Sequence, residues 1–445
     1  MIWLIIYAIL MLAGCLWHSG NHSDCTGYYV CDRMAKTPAV AFSILASCIG
    51  GTATIAMTGL AWECGAPAFW WLGSGAIGLA LLAALLAKKI RSTNALTLPG
   101  VIVHYLGSQC KTIAAFIILT ASFAIIAAQF SALGLVMAPL IGCSEQMATC
   151  VGAMFITIYT FIGGQQAVIR SDIWQFLLLA LALILALYLL LNIPDCMNAV
   201  SRLQLEFSNS RLPEHRVIYF LLIFGSSFLI GPMIFGRLLS ATTPETAQKG
   251  SYWAALGMAL MAAIITCLGV ALQGLPLNPS QREDVLFMGI SLALPPWAGV
   301  CIALGLASAV ISSADSCLMT AATVCASGLL KHGNVPFTRA CMCAIASLSL
   351  ILSLAGKGIL SLLLAASDIY VCGVVPTLFV AILAGRAGRK AQWLYMMGML
   401  CGGSFGLMAA LTGKSLYSFI GLGCAFIWGC VAVALNHMGS DPKSC

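Results

Sequence analysis

Charge is what this 445-residue chain has least of. Asp, Glu, Lys and Arg make up 8% of it, against roughly a quarter in soluble domains. Combined with 61% hydrophobic residues, that scarcity excludes a soluble globular fold and requires a chain that crosses the bilayer many times. The 20 cysteines include no CxxC pair and no Cys/His metal spacing, so neither a redox pair nor a zinc centre is indicated. Most of them lie in apolar runs, where Cys acts as a small hydrophobe. Cys25 and Cys31 flank a short polar loop, and no disulfide is expected between them. HExxH and GxSxG motifs are also missing, and the 6 histidines fall mostly in loops or at span ends, which leaves no signature of an intramembrane enzyme. Met1 to Trp17 lacks a basic leader and a small-residue cleavage site. It reads as a membrane span, not a signal peptide.

What is present is a succession of apolar windows. They predict an all-α integral membrane protein of about thirteen spans. The windows run 1–17, 38–60, 67–87, 112–138, 146–163, 172–193, 216–238, 252–273, 296–328, 338–355, 359–384, 391–411 and 416–436. The net charge of +7 sits in short loops and not on one face, which argues against a nucleic-acid partner. Counted over alternate loops, Lys and Arg divide 15 against 6, with Arg237 among the 15. The richer side is expected to be cytoplasmic, placing the N-terminus outside and the C-terminus inside.

Three polar features interrupt the apolar runs. The window 296–328 holds Ser312-Ser313-Ala314-Asp315-Ser316 at mid-membrane depth. An Asp there costs about 2.5–3.5 kcal/mol on insertion scales and needs a partner. Its hydroxyls and carboxylate suit a hard cation. The alternative is that the serines bond their own carbonyls or pack a helix crossing. Breaker residues come next: Gly50-Gly51 in the second window, and Gly225-Ser226-Ser227 with Gly231-Pro232 in the seventh. Paired interruptions in two halves point to discontinuous helices whose unwound carbonyls bind cations. Last, Asp172 opens the sixth window, where capping is the ordinary role of an acid, while Gln129 and Asp368 lie inside apolar spans.

Taken together, these stretches resemble the sodium:solute symporter family. TFIGGQQAVIRSDIWQ is similar to its GG-x-x-AV-x-x-(S/T)D-x-x-Q signature, and ASAVISSADSCLMTAATV to its most specific motif. SILASCIGGTATIAMTGLAWECGAPAFWWLG and LIGPMIFGRLLSATTPETAQKG resemble its first and sixth core helices. The resemblance implies a leucine-transporter-type bundle of five-plus-five inverted repeats, with core helices one and six discontinuous. Here the repeats fall at 38–193 and 216–384. Residues 1–37 form an extra N-terminal span and loop, 194–215 an external loop, and 385–445 two final spans and a short tail.

The function it implies is sodium-coupled import of a small organic solute (an amino acid, short carboxylate or vitamin-like compound) by alternating access. Proton coupling and a symporter-like membrane sensor are the alternatives. The sensor is disfavoured because the chain ends nine residues past its last span. Carried over, the principal sodium site is Ile49, Thr52, Ala309, Ser312 and Ser313. A possible second sodium site joins Asp172, Asp315 and Ser316 with Ser312. Substrate positions would be Gly51, Thr54, Ser74, Gln129, Phe224, Ser227, Asp368 and Tyr370. No Arg or Lys is expected in the apolar part of the substrate helices.

Overall fold

The computed structural model describes Tyr7, Met11 and residues 25–330, 333–356, 358–385 and 388–438. The expected span 1–17 therefore lies, apart from two residues, outside the described residues, as does the tail beyond Met438. The longer helices are α1 (Thr37–Cys48), α2 (Gly51–Cys64), α3 (Ala66–Ser92), α4 (Cys110–Ile141), α5 (Glu145–Leu191), α6 (214–229), α7 (Pro232–Ser240) and α8 (Pro244–Ala271). They continue as α9 (Pro296–Leu329), α10 (Val335–Leu354), α11 (Ile359–Gly373), α12 (Val375–Ala384), α13 (Arg389–Thr412) and α14 (Ser415–Met438). Among the described residues, 10 helices are long and apolar enough to cross a membrane, and α1 with α2 forms a further span bent by 60°.

The α1–α2 break sits at Ile49-Gly50, as the sequence indicates: Ile49 leaves the helix at φ −105° and Gly50 is extended at φ −74°, ψ 165°. Glycine is required here by proximity. A Cβ on Gly50 would run into the Ser313 hydroxyl, and one on Gly51 would lie 2.9 Å from the Leu306 carbonyl. Between membrane helices such close approach replaces the missing hydrophobic drive. Of the two interruptions expected in the seventh window, only the later one breaks the helix. It falls at Ile230-Gly231, with Pro232 opening α7, where the ring and the missing N–H prevent the helix from continuing. Gly225-Ser226-Ser227 stays helical. Gly225 serves packing there, since a Cβ would stand 2.9 Å from the Ser74 carbonyl of α3.

α5 runs 47 residues in two segments, 145–163 and 165–191, of about 29 and 41 Å at 1.5 Å per residue, each about the length of one bilayer core or more. It is broken only at Gly164, whose φ of 56° departs from helix. The stretch between the expected windows 146–163 and 172–193 is thus nearly all helix. Asp172 does not open a span; it lies eight residues inside the second segment, fully buried. α9 packs along α5, α4 and α1. On one side of the bundle the start of α1 and the end of α7 are stitched together by a parallel bridge, with Ala35 N to Ser240 O and Thr242 N to Ala35 O both 3.0 Å. Arg91 of α3 adds a 2.6 Å bond from Nε to the Ala241 carbonyl.

Candidate functional site

The last carbonyls of any helix lack partners within it. At the end of α1, hydroxyls from α9 meet two of them. Ser312 Oγ donates to Ala46 O at 3.0 Å and to Ala309 O at 2.9 Å. Ser313 Oγ reaches Ala46 O at 3.2 Å and Ser47 O at 3.3 Å. Five residues thereby bring oxygens together, which is the donor set of a hard cation. Ala309, Ser312 and Ser313 meet as expected. Ile49 ends α1, its N–H on Leu45 O at 2.8 Å. Thr52 is described by its backbone alone, in the first turn of α2. The α1 carbonyls that face the serines are those of Ala46 and Ser47, six and five residues before Thr52. Helix carbonyls point toward the C-terminus, so those of α1 aim at the break and those of α2 aim away from it.

Beside this group, Asp172, Asp315, Ser312 and Ser316 do assemble, but around a guanidinium that the loop count had placed on the surface. Arg237 of α7 is 1% exposed. Its Nη2 donates to Asp172 Oδ2 at 3.1 Å and to the Ser316 hydroxyl. Nε bonds Ser43 Oγ and Nη1 bonds the Met233 carbonyl, each at 3.0 Å. The Ser43 hydroxyl also donates to Asp172 Oδ2. Ser316 Oγ lies 2.5 Å from Ser312 O, 3.1 Å from Asp315 Oδ1 and 3.1 Å from Ser47 Oγ. The cluster holds two carboxylates against one guanidinium, and Asp172 Oδ1 and Asp315 Oδ2 have no hydrogen-bond partner among the described residues. An intramembrane acid demands a partner, and that demand was the available signal for Arg237. The expectation that the substrate helices carry no buried cation is corrected accordingly.

A cavity of about 100 Å³ opens at the two helix breaks. Of the eight expected substrate residues, Gln129, Phe224, Ser227 and Tyr370 line it. Sequence reasoning missed Ser47, Ser122, Phe228 and Ser367, which also line it. Helical spacing offered a clue: Ser122 is two turns from Gln129, Phe228 one turn from Phe224, and Ser367 one turn from Tyr370. Tyr370 also donates its hydroxyl to the Ile230 carbonyl, which the break leaves free.

Gly51, Thr54, Ser74 and Asp368 are not part of the wall. Gly51 packs on Val310; Thr54 and Ser74 bond the Gly50 and Trp71 carbonyls at 3.1 and 2.8 Å. Asp368 faces the other way on α11, its Oδ1 accepting from Tyr219 at 2.8 Å and Ser418 at 2.7 Å. Asp368 lies between the cavity-lining Ser367 and Tyr370 within one helical turn, but rotation about the helix axis points it away from the cavity, where it joins α11 to α6 and α14.

Broken spans meeting at a cavity, with carbonyls and hydroxyls gathered at one break, are the marks of the leucine-transporter fold. Three solved structures share that fold. A sodium-coupled sialic acid symporter in a substrate-bound outward-open state aligns at TM-score 0.80 with 15% identity, covering 97% of both chains. MhsT in complex with L-phenylalanine aligns at 0.57 with 16% identity, over 91% of this chain and 98% of that one. Mhp1, a nucleobase-cation-symport-1 family transporter, aligns at 0.59 with 13% identity, over 94% and 96%.

The sodium:solute symporter family model matches residues 28–402, and the chain belongs to that family. Among curated relatives, a high-affinity choline transporter of Caenorhabditis elegans is 25% identical over 82% of this chain. A sodium/pantothenate symporter of Haemophilus influenzae is 32% identical over 34% of it. The alignments span 66% and 32% of the lengths of those two relatives.

Proposed function

We propose that this protein is a sodium-coupled symporter that imports a small organic solute by alternating access. The observation that carries the reading is the convergence of the Ser312 and Ser313 hydroxyls on the α1 carbonyls beside the cavity. Sodium as cargo would be held by the oxygens of Ala46, Ala309, Ser312 and Ser313, with the Ile49 carbonyl near the same helix end. The hydroxyls, now donating, turn their lone pairs to the ion. In this reading the Arg237 guanidinium takes the place of a second ion between Asp172 and Ser316, so one sodium moves per cycle. Residues 38–193 and 216–384 are the inverted repeats, and the Lys/Arg excess puts the Ala35–Ala241 bridge on the cytoplasmic side.

The cavity wall carries hydroxyls, one amide and three aromatic rings, with no charged side chain among its lining residues. A solute carboxylate would be met by the N-termini of α2 and α7, which open at the cavity through Gly50 and Gly231-Pro232. The rings of Phe224, Phe228 and Tyr370 favour a second reading, a cationic solute held by cation–π attraction. A thermal-shift panel of carboxylates and quaternary ammonium compounds in sodium against potassium separates the two. The decisive experiment is counterflow of the stabilising solute into proteoliposomes. The wild type takes it up with sodium, and Ser313→Ala does so only with about tenfold weaker sodium affinity, the loss of one charged hydrogen-bond-like contact. A Ser313→Ala protein with wild-type sodium dependence would refute the ion site.

A further inference from the structure

A second cavity, of about 420 Å³, lies outside the transport pathway on the membrane-facing surface between α1, α5 and α8. Its floor is Phe42, Leu45, Phe176 and Met261, its rims are Trp253 and Ile184, and its wall is almost wholly apolar. Two close contacts fix how α1 and α8 run. A Cβ on Gly250 would lie 2.7 Å from Val40, and one on Gly257 2.7 Å from Leu45. Both helices therefore start at the same end of the groove and proceed in parallel. That end carries Lys36, immediately before groove-lining Thr37 and Pro38, and Lys249, one turn before groove-lining Trp253. Both lysines are exposed, and neither joins an ion pair among the described residues. The nearby acid, Glu245, faces Lys88 at 3.7 Å. Trp253 is 61% exposed one turn beyond Lys249, the placing expected of an interfacial aromatic beside a basic residue.

We propose that this groove is a binding site for one anionic phospholipid, its headgroup on Lys36 and Lys249 and an acyl chain laid along Leu45 and Leu260. The two charges argue for this occupant over a zwitterionic lipid, because each basic group near the surface favours an anionic lipid independently. The walls argue for an acyl chain: the groove follows α1 from Thr37 to Leu45 and α8 from Trp253 to Ile264, and its lining is almost wholly apolar, with Thr37 and Trp253 its only side-chain hydrogen-bond donors. The site stands apart from the transport reading, since no residue of the ion cluster or the solute cavity lines it.

The test uses the full-length protein in nanodiscs containing phosphatidylglycerol or phosphatidylcholine with brominated acyl chains, which quench nearby tryptophan. The chain has 10 tryptophans, so the Trp253 signal is taken as the difference from Trp253→Phe. The expected result is half-quenching of that signal at a far lower mole fraction of phosphatidylglycerol than of phosphatidylcholine. Lys36→Gln/Lys249→Gln should shrink the preference by about thirtyfold. Ala180→Phe, which fills the groove from its lipid-facing wall, should abolish quenching at low mole fraction for both lipids. Equal quenching curves for the two lipids in the wild type would overturn the proposal. So would a preference that survives loss of both lysines, or quenching unchanged by Ala180→Phe. None of these readouts depends on sodium or solute.

Discussion

Arg237→Met removes the only guanidinium in the buried cluster and leaves Asp172 without its charge partner. In the folded protein Arg237 makes four hydrogen bonds, to Ser43, Met233, Asp172 and Ser316. Asp172 would keep one of its two partners, the Ser43 hydroxyl, while staying fully buried. Breaking a buried pair from one side typically costs about 3–5 kcal/mol, because the remaining charge has no water to turn to. Removing both charges, with Arg237→Met and Asp172→Asn together, should recover most of that loss. The coupling between the two substitutions should be about 2–3 kcal/mol. Denaturation of the four proteins of the cycle, in detergent without solute, measures it. Arg237→Lys should fall between, since an ammonium keeps the charge but not the flat fork that spans Asp172 and Ser316. A single Arg237→Met protein as stable as the wild type, or a coupling near zero, would refute the pairing. A reversal potential corresponding to two sodium ions per solute in the wild type would refute the guanidinium's role as the second cation.

Gly50→Ala drives a methyl into the Ser313 hydroxyl and should abolish sodium-dependent uptake while the protein still reaches the membrane; uptake within threefold of wild type would contradict the contact. For Asp368, Asn retains the oxygen that accepts from Tyr219 and Ser418, so Asp368→Asn should keep solute affinity within a few-fold. Asp368→Ala orphans both hydroxyls and should cost about 1–3 kcal/mol of stability, read by thermal unfolding, with solute affinity in the surviving protein unchanged.

The apolar windows made the helical bundle legible because the bilayer fixes span length, and Gly50-Gly51 marked the first break because two adjacent glycines have few other uses in a span. In the seventh window two candidate breakers were legible, and only Gly231-Pro232 breaks the helix. Gly225-Ser226-Ser227 looks like a breaker in one dimension, yet Gly225 is a contact with Ser74, a relation between distant segments. Ser312 and Ser313 were legible from their motif as the hydroxyls that meet the first core helix. Their carbonyl partner was not, because choosing Ala46 over Thr52 depends on which way a helix end points. Arg237 was hidden by its position at the end of an apolar window, where a cation ordinarily reaches toward water. Only the fold brings it beneath Asp172. Asp368 was rightly judged buried, but a single residue step around the helix decides whether a side chain faces the cavity or the neighbouring helix.

Ser47 has two employments. Its side chain borders the solute cavity, and its carbonyl receives the Ser313 hydroxyl. Ser313 borders that cavity as well. An ion drawn to these oxygens fixes the end of α1, and that same stretch of backbone shapes the space the solute enters. Binding equilibria joined through one segment obey a reciprocity: whatever factor the ion adds to the solute's affinity, the solute must return to the ion. With sites joined this way, any change in how strongly the ion favours the solute is matched by an equal change in how strongly the solute favours the ion. Changes at Ser47 should move both dissociation constants together, and their ratio of liganded to unliganded values should stay equal.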